Sequence, residues 1–583
     1  MVLAAASFCA QHRKIRDRKQ GWLAWCITSG VFDFPNASNT CVLKIKAFTK
    51  STFYATPQKP LWRTLRNISI AIIVLAWISL IAATIAIIVV HPRCKSPPAI
   101  SWWQKSVVYR VYIRSFQDSD NDGVGDLKGV TSRLEYLKDL GVETISLSPF
   151  YEHDQSENEF SVLNHTMIDS HYGTMADFQE LVKEIHNHDM RLVVDFIPGT
   201  TSKQHMWFTE SASSSDQANN YRNYYVWKDG IDVPTNWSIL EFWMDNDVDG
   251  FFVRNSAYLF VDDDLRNEEP LTNPPTNNPV SHPYYLGLTL QQWTLPYLYS
   301  HHSMLIADIR GSTEQSLAYY GRFGRDGVDI SLNYGLIPVT VDCNGACVKK
   351  HLDSWLTNIP SGQWQTWMVG TEDTSRVMSR TNSSLARALT MLTMFMPGTP
   401  VTYYGDEIGM TDVMHTPPNA WSMDQPMRST MQWSNTTGGG FASNCSSNCS
   451  PWIPVNPNYD LTNVEFQEED PDSDLAFFKN LISARQNPTV LHGDFLYVVT
   501  NDNLLSFRRE FDGLTNYLVA INFGSGKVKQ DFRPSESVTE ALVEAVTSST
   551  GSLQLGDTAD LSGIELDPLE GVVLSWDYQI KQY

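Results

Sequence analysis

Residues 68–90 read ISIAIIVLAWISLIAATIAIIVV and carry no charge. As an α-helix rising 1.5 Å per residue, the stretch is roughly 35 Å long, enough to cross a hydrocarbon core of about 30 Å with some tilt. A buried core helix is seldom so long without a charged residue. A cleaved signal peptide would sit at the extreme N-terminus, with a shorter apolar core and a small-residue cleavage site. The stretch therefore reads as a single-pass signal anchor, dividing the chain into a tail at 1–67, the span at 68–90 and a long remainder. Trp62 and Trp77 do not discriminate between these readings.

Charge sets the expected orientation. Residues 1–66 hold eleven Lys/Arg against Asp17 and Asp33; the part beyond the span holds thirty-two basic and sixty-three acidic residues, a net of −31. Short basic flanks stay cytoplasmic, whereas a long domain translocates largely regardless of its charge. The immediate flanks are less lopsided (Lys59, Arg63 and Arg66 before, Arg93 and Lys95 after), so the orientation rests on the whole tail. It places the tail in the cytoplasm and the C-terminal part outside. A net of −31 argues against a nucleic-acid partner for the outer part.

The cysteines fit this arrangement. Cys9, Cys26 and Cys41 fall on the reducing side. Outside lie Cys94, Cys343, Cys347, Cys445 and Cys449, an odd number. The last four form two close pairs that local disulfides could join, although sequence does not fix their connectivity. Cys94, four residues past the span, is then left for a bond to another chain, or remains a free or palmitoylated thiol. Six outer N-x-S/T triplets, at Asn164, Asn236, Asn382, Asn435, Asn444 and Asn448, fit a glycosylated exterior, each weak evidence by itself.

The tail shows no sustained periodicity, and its basic run at 13–19 reads as a solvated, membrane-proximal segment. His91-Pro92 and Pro97-Pro98 suggest a short stiff stalk over 91–105. From residue 106 a rhythm begins. Short apolar runs at 107–116, 143–150, 191–198, 250–255, 304–309, 326–331, 365–370 and 400–405 are separated in several places by helix-like segments such as 130–140, 176–188 and 385–395. Eight strands with intervening helices predict an α/β fold, a (β/α)8 TIM barrel over 106–492, with any site at the strands' C-terminal ends. From about residue 493 the runs at 495–499, 504–509, 517–522 and 572–576 mostly lack helix-length separators, predicting a C-terminal antiparallel β-domain over 493–583.

The first barrel strand opens the motif YRVYIRSFQDSDNDGVGD at 109–126. SPFY at 148, IDSHYGTMADF at 168, VVDFIP at 193, DGFF at 249, PGTPVTYYGDEIGM at 397 and PMRSTMQW at 426 follow in order. Together they resemble the α-glucosidases of glycoside hydrolase family 13, over nearly everything after residue 100. That chemistry needs two carboxyl groups about 5 Å apart, one to attack the anomeric carbon and one to protonate the leaving oxygen. The resemblance puts the nucleophilic Asp at the end of strand four, where this chain has Arg254, with Phe252 in place of the family's Arg. The acid Glu at the end of strand five becomes Asp308. The Asn-His after strand three becomes Gly199-Thr200, and the Asn-His-Asp after strand seven becomes Thr371-Glu372-Asp373. Phe160 takes the place of a sugar-stacking Tyr. A guanidinium has no nucleophilic oxygen and stays protonated, setting positive charge where an oxocarbenium-like transition state needs negative charge. The expectation is therefore no retaining hydrolase activity, with Arg254 paired to Asp308, Glu372 or Asp373 as a structural relic.

One family feature persists. Asp118, Asp120, Asp122 and Asp126, with the backbone carbonyl of Val124, alternate around a glycine turn. The resemblance implies a structural Ca2+ there, a hard cation that takes six to eight oxygens; an acidic turn without an ion is the plainer alternative.

Anchor, outer cysteine and α-glucosidase-like domain together resemble the heavy chains of heteromeric amino acid transporters, most closely the rBAT type. There, a Cys just past the span precedes a Trp-Trp-Gln stretch; the counterparts here are Cys94 and Trp102-Trp103-Gln104. This resemblance implies a disulfide from Cys94 to a multi-pass light chain that the protein traffics and stabilises at the plasma membrane, with a dimer of such heterodimers as a higher assembly. Two other readings stay open: a membrane-anchored α-glucosidase and a surface carbohydrate-binding protein. The excursion at 199–237 is shorter than the family's small inserted domain, and its junction PTNWSILEFW is abrupt.

Overall fold

The computed structural model describes residues 60–90, 97–155, 159–213, 238–256, 303–320, 327–413, 425–442, 451–548 and 550–579, with Asn219, Tyr221 and Tyr225. The chain forms two compact units, 1–92 and 93–583.

Among the described residues of the first unit, a helix runs Pro60–Val90, eight residues longer at its start than the uncharged stretch. Pro60 is the first helical residue, where its fixed φ suits the helix and its missing N–H costs nothing. The segment Arg63–Ala86 is long and apolar enough to cross a membrane. Its two internal hydroxyls are satisfied by its own backbone: Ser79 donates to the Ala76 carbonyl at 3.0 Å and Thr84 to that of Leu80 at 2.8 Å. Neither brings an unpaired polar group to a lipid-facing surface.

The second unit is built on a parallel sheet of eight strands: β1 Val108–Val111, β2 Thr144–Leu147, β5 Arg191–Phe196, β6 Gly250–Val253, β7 Met304–Ala307, β8 Ile330–Ser331, β9 Thr366–Met368 and β10 Thr399–Tyr403. A hairpin, β3 Tyr151–His153 and β4 Val162–Ile168, leaves the sheet after β2. The order β8-β7-β6-β5-β2-β1-β10-β9 is a barrel read from one seam. At that seam the Thr366 hydroxyl donates to the Ser331 carbonyl at 2.9 Å and accepts from the Asn333 amide at 3.1 Å. One side chain thus joins β8 to β9 where no backbone ladder does. All eight apolar runs hold strands, each shorter than its run.

Inside the barrel pack Val108, Val193, Phe252, Met304, Ile306, Ile330, Met368 and Val401, joined by Trp103. Trp103 lies in a helical turn, Trp102–Lys105, and its carbonyl accepts from the Thr399 hydroxyl at 3.0 Å. The stalk read over 91–105 therefore ends inside the barrel's own core. The outer layer of helices follows the expected pattern. Met175–Asn187 starts at Thr174, which caps the amide of Asp177, and buries Phe178, Leu181, Val182 and Ile185 at helical spacing. Ser383–Phe395 is capped by Asn382.

C-terminal to the barrel, β11 Asp494–Thr500, β12 Leu504–Glu510, β13 Asn516–Asn522, β15 Glu540–Val546, β16 Thr558–Asp560 and β18 Gly571–Trp576 form an antiparallel sheet, with β14 Val528–Gln530 and β17 Ile564–Leu566 as a second pair. Alternation along β13 sends Tyr517, Val519 and Ile521 into the barrel's helical core and Leu518 and Ala520 into a separate core on the other face. The β-domain thus shares one continuous apolar core with the barrel.

The short excursion is described only in part: a helix, Met206–Ser213, follows β5, and most of 214–237 lies outside the described residues.

Candidate functional site: a closed ion cluster

Charged residues from six different strands or their following loops converge at the C-terminal end of the barrel. Arg110 lies within β1 and Asp195 within β5. Arg254 directly follows β6, Asp308 follows β7, Glu372 and Asp373 lie beyond β9, and Arg428 ends a turn after β10. Parallel strands with one register bring these ends to one face.

Arg254 is buried, with 3% of its side chain exposed. Its guanidinium donates to Glu372 at 2.9 Å and Asp373 at 2.7 Å, and lies 3.6 Å from both Asp308 and Asp195. It faces the Phe160 ring at 5.0 Å. The expected pairing with Asp308, Glu372 and Asp373 is therefore all present, and Phe160 lies against it. Arg110 donates to Asp195 at 2.5 and 2.7 Å and to Glu372 at 2.6 and 3.1 Å. Arg428 donates to Asp373 at 2.7 Å and to Glu159, and Arg310 also donates to Asp373. Asp308 accepts from the Tyr334 hydroxyl at 2.5 Å. Thr200 stays outside: it is exposed, and its hydroxyl donates only to the Phe160 carbonyl at 3.5 Å.

Four arginines thus meet five carboxylates, all largely buried except Arg310. Burial by itself would push Glu372 up, but Arg110 and Arg254 outweigh it and hold the carboxyl at about 2. Asp373 is likewise held well below the usual range: against burial act Arg254, Arg310 and Arg428. Asp195, fully enclosed, is pushed up to about 6 by burial despite Arg110. Burial would lower Arg254, yet the surrounding carboxylates, Glu372 first, raise it well above its ordinary value. No atom in such an arrangement can attack a sugar from the position of Arg254. Beside it, Tyr112, Arg114, His153, Glu159 and Trp452 line a cavity of about 100 Å³, well under the roughly 300 Å³ at which small-molecule pockets begin.

Sequence reasoning named Arg254 and its acids but missed Arg110, Asp195, Glu159, Arg310 and Arg428. Two carried a signal. Arg110 in VYRV and Asp195 in RLVVDF are charges inside fully buried strand segments, and a buried charge demands a partner.

In the acidic loop, carboxylate oxygens of Asp118, Asp120 and Asp126 lie within 4.8 Å of one another, while Asp122 is not in that group. Asp118 is raised by burial, partly offset by the Gly123 and Asn121 amides. The Asp118 oxygens accept from the amides of Asn121 at 2.7 Å and Gly123 at 2.9 Å. Asp126 caps the following helix through Gly129 at 2.8 Å. Three converging carboxylates in a tight turn fit a hard cation.

Cys343 and Cys347 form a disulfide, with Cα atoms 5.3 Å apart. Cys94, Cys445, Cys449, Asn236, Asn444 and Asn448 lie outside the described residues. Asn382 and Asn435 are exposed, and Asn164 is half-buried.

Residues 110–239 and 236–494 match the alpha amylase catalytic domain, and residues 44–109 match the N-terminus of solute carrier family 3 member 2. Amino acid transporter heavy chain SLC3A1 of Rattus norvegicus is 30% identical over 88% of this chain and 83% of its own. The Mus musculus protein of that name is 31% identical with the same coverage. The chain belongs to the amino acid transporter heavy-chain family. An alpha-glucosidase of Culex pipiens is 27% identical over 82% of this chain and 92% of its own length. The trehalulose synthase MutB of Pseudomonas mesoacidophila MX-45 superposes with a TM-score of 0.70 at 24% identity. It covers 82% of this chain and 100% of that one, which shows the shared fold. A heavy-chain family member with an amylase-type barrel and an apolar N-terminal helix is thus what sequence and fold both describe.

Proposed function

We propose that the protein is the non-catalytic heavy subunit of a heteromeric amino acid transporter. It would be anchored in the plasma membrane by the Pro60–Val90 helix with the tail inside, and joined through Cys94 to a multi-pass light chain that it traffics and stabilises. Family membership supports the subunit role. The single observation that carries the loss of catalysis is Arg254, held between Glu372 and Asp373 where the resemblance places the attacking carboxylate. The exposed Asn382 and Asn435 would carry glycans, and Asp118, Asp120 and Asp126, with Asp122 and the Val124 carbonyl, would hold a structural Ca2+ that pins the first barrel loop.

The similarity to an alpha-glucosidase favours one second reading, a membrane-anchored α-glucosidase. It would need an attacking group other than Arg254. A surface carbohydrate-binding protein would instead need room for a sugar beside the ion cluster. Purification of the full-length chain from native membranes in detergent tests all three. The subunit reading expects a co-purifying multi-pass protein, no glucose released from maltose or p-nitrophenyl glucoside, and no sugar binding. Hydrolysis by the lone chain would sink it.

A further inference from the structure

Outside the ion cluster, one group of metal-ligating side chains is gathered on a single helix. Gly345–Leu356 begins at Asn344, whose side chain accepts from the Cys347 amide at 3.0 Å. Cys343 precedes the cap, Cys347 lies in the first turn and His351 one turn on. Cys347 and His351, four residues apart, share one helix face, and the disulfide to Cys347 holds Cys343 beside them. A ligand atom from each lies within 4.8 Å of the others; Cys343 is buried, and Cys347 and His351 are half-buried. The His351 ring hydrogen-bonds the Gly335 backbone, the kind of contact that fixes the tautomer of a metal-bound imidazole. The positive end of the helix favours thiolates at Cys343 and Cys347.

We propose that Cys343, Cys347 and His351 form a redox-gated site for a soft divalent cation of the zinc class, closed while the disulfide stands and opened by its reduction. A dithiol reductant gives two electrons and two protons to the S–S bond and is itself oxidised to a disulfide. The cation then displaces both thiol protons and binds two thiolates and the imidazole, leaving a fourth position for water. The site lies against the C-terminal sheet. Gly345 donates to the Asp502 carbonyl at 2.8 Å, and Tyr497 of β11 donates to Asp353 of the same helix at 2.9 Å. Metal binding therefore bears on how the β11–β12 hairpin seats on the barrel.

The test uses the full-length protein in detergent, cobalt(II) as the spectroscopic probe, and a phosphine as reductant, which takes oxygen from water as it frees the two thiols. Reduced wild-type protein is expected to develop a thiolate-to-cobalt charge-transfer band that the oxidised protein lacks. Cys347→Ser abolishes the band, and the double variant Cys445→Ser/Cys449→Ser keeps it. His351→Ala, which leaves the disulfide intact, shifts the band and weakens cobalt binding at least tenfold. No band on reduction, equal cobalt binding in oxidised and reduced protein, or an unchanged spectrum and affinity in His351→Ala would each overturn the proposal.

Discussion

Arg254 and Glu372 lie 118 residues apart in sequence, just beyond β6 and β9, and meet at 2.9 Å inside the barrel mouth. An arginine stands where the resemblance places an attacking carboxylate, and Glu372, Asp373, Asp195 and Asp308 surround it in a buried ion cluster. Removing one partner from such a cluster is costly because the charges left behind stay buried. Arg254→Ala is therefore expected to lower stability by about 3–5 kcal/mol, read from denaturant unfolding. Arg254→Asp, which adds a carboxylate to an already acidic cluster, should unfold more easily still and show no maltose hydrolysis. Equal stability of Arg254→Ala and wild type would show that the cluster does not depend on the arginine.

Stability should pass through a maximum in weak acid. Glu372 is held at about 2 and Asp373 lower still. Their folded pKa values lie below the unfolded ones of roughly 4, so they contribute stability above that range and lose it as pH falls through it toward 2. Asp195, and Asp406 in the short turn Asp406–Ile408 after β10 with Arg376 3.7 Å away, are pushed up by burial to about 6 and about 7. The folded state then holds protons that the unfolded state has released, so stability falls as pH rises from about 4 to 7. Thermal unfolding between pH 3 and 8 should peak near pH 4. Asp406→Asn should flatten the limb above pH 4 and leave the acid limb unchanged. A midpoint that climbs steadily to pH 8 would contradict these assignments.

Barrel closure rests on Thr366. Thr366→Val keeps shape and burial but strands the Ser331 carbonyl and the Asn333 amide at the seam. A buried polar group left unpaired costs about 1–3 kcal/mol. Amide exchange at Asn333 should quicken in the variant by more than at Leu147, which lies in a laddered strand. Identical exchange at both positions would mean that the seam is held by something else.

Much of the architecture was legible in the chain. Eight apolar runs in order, each flanked by loop chemistry, located every barrel strand, and the long apolar helix was plain from the lack of charge over 68–90. The site was legible in its centre and not at its rim. Arg254 is conspicuous because a cation stands where the resemblance expects a carboxylate. Glu159 and Arg428, which meet in the fold across 269 residues, sit in loops whose approach no periodicity encodes. The closure by Thr366 was hidden for a similar reason: a threonine in a strand is ordinary, and only the register of its neighbours makes its hydroxyl a bridge. The boundary at Trp103 was blurred because Pro97-Pro98 looks like linker while the aromatic five residues later belongs to the barrel.

The most direct measurement of the account is the size of the protein on a non-reducing gel, extracted from native membranes with thiols blocked. A wild-type band well above 65.9 kDa is expected, collapsing to the single chain on reduction, with a Cys94→Ser variant that runs as the single chain from the start. A wild-type band that runs as a lone polypeptide without reductant, indistinguishable from Cys94→Ser, would contradict it.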